Sequence, residues 1–334
     1  MQEKTSLYMY KKSVSRNYKK RNNKKRNPGN SKYNEDLFDL QTVLQKAQKL
    51  PKVRMAVVAP YDIATLRALR ESLNRDVAIP VLIGHEGTIR DRAKEYDISL
   101  EGMEIINTAL EEQLEKAGEF IKEGDVKIVM KGMVGTGDFI HVLLDPKYGI
   151  RTGRILSHVS MFEIPETRRI FLMSDAAINI LPNFNRKVHI VANAVEVARK
   201  IGIPKIKVAM LAAVEKVRLP AMPATLDAFL MKKFATTGYF GECIVEGPFA
   251  FDNAIDPERA KTKGIYGRVA GVSNIVIVPN IETGNVIYKS ITCLHKMDGA
   301  GVVVGGRMPI VVPSRSDNWR TKFLSIEFSK LLAS

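Results

Sequence analysis

Four short stretches of the chain set charged or hydroxyl side chains beside glycines or polar turns where an apolar run gives way to a helical pattern. In open parallel sheets, ligands bind at the carboxyl ends of strands, and such junctions lie there. The first stretch is KGMVGTGDF (131–139). Lys131 ends an apolar run, and the glycines around Thr136 let backbone N–H groups come close to a ligand. The second is GIRTGRILSHVSMFE (149–163), with Arg151, Thr152 and Arg154 beside two glycines and Ser157 at the start of an apolar run. Guanidinium and hydroxyl groups with exposed amides suit an oxyanion or a phosphate. The third, VPNIETGNVIYK (278–289), passes through a polar turn into a helix that carries Gly284 and Asn285 early and Lys289 late. The fourth is VVPSRSDNWRTK (311–322), where a strand ends at Pro313 and Ser314, Arg315, Ser316 and Asp317 precede the last helix.

Each stretch also has a plainer reading. The glycine loop fits a flexible turn, Arg and Thr fill many solvated loops, and Ser316 or Asp317 fits a helix N-cap. His158, on an apolar strand, reads better as a satisfied core residue than as a base. Cys243 and Cys293 lie in apolar stretches without C-x-x-C spacing and read as reduced packing residues.

Holding these junctions together requires a particular scaffold. VRMAVVAP (53–60), AIPVLIG (78–84), GMEIINT (102–108) and VKIVMKG (126–132) read as strands, with Asp62 capping a helix after the first. Amphipathic segments at 86–95 and 109–122 and a helical stretch to about Leu144 separate or follow them. This alternation predicts parallel βαβ units with helices on both faces. SHVSMFEIP (157–165) and RRIFLMSDA (168–176) are then two apolar strands across a short link, a hairpin or the edge of a second sheet. Helices are predicted at 186–201, 222–235, 254–263, 282–294 and 317–332, and further strands at 207–214, 242–246, 274–279, 300–306 and 310–314.

At 334 residues the chain is long enough for two domains. Its composition is that of a soluble protein, and no apolar run reaches the roughly 18 to 20 residues that span a bilayer. The expected location is the cytoplasm. Of the formal charge of +15, residues 1–34 hold +10, from eleven Lys or Arg against the single acid Glu3. A segment so polar cannot bury enough surface to offset the entropy of ordering, so a disordered basic extension is expected over residues 1–35. Since the remainder carries only +5, charge makes no case for a nucleic-acid partner outside that arm.

The blocks KGMVGTGDFIHVLLDPKYGIRTGRILSHVSMFEIP, EGPFAFDNAIDPERAKTKGI, VAGVSNIVIVPNIETGNVIYKS and PIVVPSRSDNWRTK, in that order, resemble the signature blocks of the phosphate acetyl/butyryl transferase family. RTGRILSHVSMFE and SRSD resemble its butyryl branch more than its acetyl branch. The likeness runs from about residue 40 to the C-terminus. It implies a two-domain α/β fold like isocitrate and isopropylmalate dehydrogenases, with mostly parallel sheets, helices on both faces and an interdomain cleft. The first domain would be 36–151 completed by 300–334, and the second 152–299. The resemblance further implies a homodimer or larger and direct transfer in a ternary complex, with no metal, permanently bound cofactor or covalent acyl-enzyme, and with coenzyme A and its acyl esters as substrates; composition and charge add the expectation of no membrane or nucleic-acid partner.

In that reading Ser314, Arg315 and Asp317 are catalytic. Lys131, Thr136, Arg151, Thr152, Ser157, Asn253, Gly284, Asn285 and Lys289 bind coenzyme A or acyl phosphate. One departure bears on the base: acetyl-branch members carry an aspartate six residues after the arginine of their Ser-Arg pair, and Thr321 stands there. Asp317 is the nearest carboxylate, and its role as base is inferred. A free thiol has a pKa of about 8.5, so a positioned base, or a cation stabilising the thiolate, removes much of the barrier to its attack on an acyl phosphate. A dehydrogenase of the same fold is the main rival, but no G-x-G-x-x-G follows a strand and no aspartates cluster for a metal. A binding protein working through the basic arm is the other.

Overall fold

Asp39 opens the part of the chain that the computed structural model describes, residues 39–333. The basic extension expected over 1–35 lies outside the described residues. The Asp39 carboxylate accepts from Thr42 N at 2.9 Å and caps α1 (Leu40–Gln48). The predicted βαβ units follow as β1 (Val53–Val58), α2 (Ile63–Asn74), β2 (Ala78–Gly84), α3 (Glu86–Glu95), β3 (Glu104–Asn107), α4 (Gln113–Glu123) and β4 (Ile128–Lys131). All neighbours among these four strands are parallel, in the order β3-β2-β1-β4. Successive side chains of a strand face opposite ways, so both faces of β1 need covering. Ala56 and Val58 pack with Ala117 and Ile121 of α4, whereas Met55 and Val57 pack with Leu69 of α2.

After α5 (Thr136–Leu143), β5 (Ser157–Glu163) and β6 (Ile170–Ser174) form the hairpin read from the sequence, with Met161 opposite Leu172. They are not the edge of a second sheet. They lie inside one eleven-stranded sheet, β3-β2-β1-β4-β11-β10-β5-β6-β9-β7-β8. The remaining elements are α6 (Phe184–Ile201), β7 (Lys207–Leu211), α7 (Pro223–Ala235), β8 (Ile244–Phe249), α8 (Phe251–Ile255), α9 (Pro257–Thr262), β9 (Ile275–Ile277), α10 (Ile281–Lys289), β10 (Ala300–Val304), β11 (Ile310–Val311) and α11 (Trp319–Ala333). The single helix expected over 254–263 is two. Pro257 has no N–H to continue α8, and Asp256 accepts from Glu258 N and Arg259 N to cap α9.

Strand direction organises the rest. β11 joins the first parallel group beside β4, while β6, β9, β7 and β8 form a second parallel group. Between them the pairs β11–β10, β10–β5 and β5–β6 are all antiparallel. Three reversals leave the two groups pointing their carboxyl ends to opposite edges. Helices α5 and α10 follow one strand of each group. Among the described residues, no helix is long and apolar enough to cross a membrane.

Candidate active site

Between Val311 and the start of α11 the chain makes a tight turn. Ser314 N donates to Asp317 Oδ2 at 2.8 Å, and Asp317 N donates back to the Ser314 carbonyl at 3.1 Å. The hydroxyls of Ser314 and Ser316 lie 3.0 Å apart. Neither Ser316 nor Asp317 caps the helix. Asn318 does, its side-chain oxygen accepting from Thr321 N at 2.9 Å. The Asp317 carboxylate therefore turns inward, where Tyr288 OH donates to the same Oδ2 at 3.4 Å. Burial raises its pKa above the ordinary carboxylate value, and the Ser314 amide, Lys289, Lys322 and the Tyr288 hydroxyl only partly offset this.

Cations surround this carboxylate. Lys289, the last residue of α10, donates to Ser314 Oγ at 3.3 Å. Lys131 ends β4, whose Met130 pairs with Val311 of β11. It is 3% exposed and folds back to donate to the carbonyls of Gly132 and Val134, at 3.1 and 3.2 Å. Burial depresses its pKa, and Arg315 and Lys322 add to that against the weaker pull of Asp62 and Asp317. Lys322, 2% exposed, reaches Asp62 Oδ1 at 2.8 Å and Thr65 Oγ1 at 2.9 Å. Arg315 is exposed and has no hydrogen bond or ion pair among the described residues. Four cations thus face two acids at the ends of β4 and β11, an arrangement that favours a bound anion.

The glycine loop borders the same place. A Cβ on Gly132 would sit 2.2 Å from the Ala59 carbonyl, so only glycine lets β4 leave the sheet this close to β1. Thr136 begins α5 behind Gly135, which offers no side-chain cap, so the first N–H groups of the helix stay available. At its other end α10 docks on the turn after β6: a Cβ on Gly284 would lie 2.7 Å from the Asp175 carbonyl, and Asn285 Nδ2 lies 3.5 Å from the Ala176 carbonyl. Gly284 and Asn285 hold the helix that carries Tyr288 and Lys289 to the Ser314 turn.

The other sequence candidates lie on different elements. Arg151 donates to the Leu144 carbonyl, and Thr152 Oγ1 donates to the Gly305 carbonyl at 2.5 Å. Ser157 is buried and accepts from Asn193 Nδ2 at 2.9 Å. Asn253 is buried on α8 with Nδ2 2.5 Å from Glu215 Oε1. His158 is a core residue as read: its Nδ1 lies 3.3 Å from Ser160 Oγ, and burial lowers its pKa. Cys243 is half-buried, but Cys293 is exposed, on the π-helical segment Ser290–Leu294 that continues α10.

Sequence reasoning missed Tyr288 and Lys322 and read Asp62 only as a cap. A lysine within the apolar stretch TKFLSI was the one available signal. Tyr288 carries a testable consequence. Its ring packs edge-on to Phe162 with centroids 5.5 Å apart, and a phenylalanine keeps that contact while losing the hydrogen bond to Asp317. Because that bond favours the ionised carboxylate, Tyr288→Phe is expected to move the acidic limb of the rate–pH profile upward. A limb that stays in place would show that Tyr288 only fills space.

The residues that converge here fall in stretches shared with known proteins. The family described as phosphate acetyl/butaryl transferase matches residues 109–327. The chain is 37% identical over 292 residues to a phosphate butyryltransferase of Clostridium acetobutylicum, covering 87% of this chain and 97% of that one. It is 38% identical over 280 residues to a phosphate acetyltransferase of Thermotoga maritima, covering 84% and 95%. The crystal structure of a branched-chain phosphotransacylase from Enterococcus faecalis superposes with a TM-score of 0.74 at 27% identity, over 84% of this chain and 99% of that one. With the match reaching into α11 and taking in Lys131, Tyr288, Lys289, the Ser314–Asp317 turn and Lys322, the chain belongs to the phosphate acetyl/butaryl transferase family.

Proposed function

We propose that the chain moves a short acyl group between coenzyme A and phosphate, with butanoyl favoured over acetyl. The observation that carries this reading is a half-buried carboxylate of raised pKa, Asp317, held on one oxygen by Ser314 N and Tyr288, with Lys289 and Lys322 close enough to offset part of that rise. The family and the relatives named for butyryl and acetyl transfer support it. In the direction of acyl-CoA formation, Asp317 takes the thiol proton and the sulfur attacks the acyl phosphate carbonyl. The C–O bond to phosphate then breaks, and inorganic phosphate leaves with the electron pair. Arg315, Ser314 and the open amides of α5 hold the tetrahedral oxyanion and the phosphate oxygens, since such donors act most strongly where charge develops. The reverse direction returns the proton from Asp317 to sulfur.

The division into 36–151 with 300–334 and 152–299 belongs to the same proposal. Its support is the reversal of strand direction at β5 and β10. Assembly as a homodimer or larger is supported by Val217, Leu219, Phe229 and Leu230, which are exposed on and before α7.

The deciding experiment follows free thiol while phosphate reacts with acetyl-, propanoyl- or butanoyl-CoA. Two methylenes in an apolar site give butanoyl an advantage of roughly 10- to 100-fold in kcat/KM. Equal efficiency for acetyl-CoA would move the assignment to the acetyl branch. No thiol release from any of the three would end it.

A further inference from the structure

A buried carboxylate that the site just described does not use lies on the turn after β6: Asp175, 2% exposed. Burying such a group is costly unless its oxygens are satisfied, and Asp175 makes no ion pair among the described residues. Four N–H groups serve it instead. Oδ1 accepts from Ala177 N at 2.9 Å and Ile178 N at 3.0 Å, and Oδ2 accepts from Asn179 N at 3.2 Å and Asn179 Nδ2 at 2.6 Å. A carboxylate offers about four acceptor positions, so the set is complete and residues 175–179 are drawn into one turn. Asn179 ties that turn to its surroundings, for its Nδ2 also donates to the Leu156 carbonyl at 2.8 Å and its Oδ1 accepts from Arg186 Nη2 at 2.8 Å.

This turn is the seat of α10. A Cβ on Gly284 would lie 2.7 Å from the Asp175 carbonyl oxygen and 2.9 Å from Ala176 Cα, so the helix rests directly on the backbone that the carboxylate folds. Ile281 N donates to the Ile180 carbonyl at 3.0 Å, and Ala176 shares an apolar cluster with Tyr288. Because β6 and β11 point their carboxyl ends to opposite edges of the sheet, Asp175 and the Ser314 turn stand apart. The nine residues of α10, about 13 Å of helix, span from one to the other. What the helix delivers there is delicately placed. Tyr288 OH reaches Asp317 Oδ2 at 3.4 Å and Lys289 Nζ reaches Ser314 Oγ at 3.3 Å, both at the long end of hydrogen bonding, so a small displacement of α10 removes them.

We propose that Asp175 is a positioning residue for acyl transfer: by folding the turn beneath α10 it sets where Tyr288 and Lys289 meet Asp317 and Ser314. The proposal rests on the phosphate acyltransfer reading. Asp317 is faced by Tyr288 and Lys289 from α10, by Lys322 from α11 and by Lys131 at the end of β4, and only the first two ride on the helix that Asp175 seats. Asp175→Asn turns one acceptor into a donor that faces other donors, which opens the turn. In the full chain, kcat for acyl transfer at neutral pH is expected to fall about tenfold or more, as misplacement remote from the chemistry does. Burial raises the Asp317 pKa while Lys289 and Tyr288 pull against it, so the acidic limb of the rate–pH profile is expected to move upward. In a Tyr288→Phe chain the same substitution is expected to cost about threefold or less, because much of what Asp175 supports is already gone. Gly284→Ala drives a methyl group into the Asp175 carbonyl and leaves the bonds of the carboxylate in place. It is expected to lower kcat and move the limb in the same directions, and it decides the matter if Asp175→Asn does not fold. A merely structural role lowers the melting temperature and moves neither the limb nor the coupling to Tyr288. A kcat within about twofold of the parent with an unmoved limb in a folded variant, or an undiminished cost in the Tyr288→Phe chain, would overturn the proposal. A parent chain that releases no thiol at all would instead overturn the acyltransfer reading beneath it.

Discussion

Replacing Asp317 by Asn is expected to lower the rate of acyl transfer to coenzyme A at neutral pH by about 10² to 10⁴, with partial recovery as the pH rises. The amide keeps the shape of the side chain and can still accept from Ser314 N, but it cannot take a proton. Above pH about 8.5 the thiol ionises unaided, which restores part of the rate. Because burial raises the pKa of Asp317, the parent protein should lose activity on acidification at a pH above the ordinary carboxylate range. The variant should lack that limb.

Stability should move the other way. A carboxylate whose pKa is higher in the folded state contributes stability below its unfolded pKa, and this is lost as the pH rises through the folded value. At neutral pH its charged form is therefore a burden on the fold, and Asp317→Asn should leave the melting temperature unchanged or raised. A rate profile at pH 5–10 beside a melting curve checks both. Near-normal turnover at neutral pH would remove Asp317 from the role of base.

Arg315→Lys is expected to slow transfer by about 10² or more without loss of fold. The charge survives, but the planar fork that can span two oxygens of a phosphate or a developing oxyanion does not. Arg315 is exposed and makes no internal bond among the described residues, so its loss removes nothing from the folded framework. The deficit should appear in kcat when substrates are saturating, with circular dichroism unchanged. A rate within threefold of the parent would assign the anion to Lys131 and Lys289 instead.

Much of the scaffold was legible because local pattern and final environment agree. AIPVLIG is an unbroken apolar run and becomes β2 over Ala78–Gly84, buried on both faces. The next helix spans Glu86–Glu95 as read, with His85 as its cap. The misread helix at 254–263 is a case where Pro257 outweighed helical spacing. For the site, the junction at Ser314–Asp317 could be read from its charged residues after an apolar strand. Its cap could not, because Ser316, Asp317 and Asn318 are all good N-caps and the choice depends on where α11 begins. Tyr288, Lys322 and Asp62 meet only through tertiary packing, and no spacing in the chain announces them.

The seat of β11 beside β4 has a consequence for how the protein is made. Val129 and Met130 wait for Ile310 and Val311, and Asp62 waits for Lys322, 260 residues later. At ribosomal speeds of about 5 to 20 residues per second, β4 emerges roughly 10 to 40 s before its partner exists. During that interval the nascent chain offers a bare, apolar strand edge, the kind that recruits other chains. Overexpression in which synthesis outpaces chaperone capture should therefore deposit this protein as aggregates assembled through β4. Any fragment that stops short of residue 310 carries the same unguarded edge permanently.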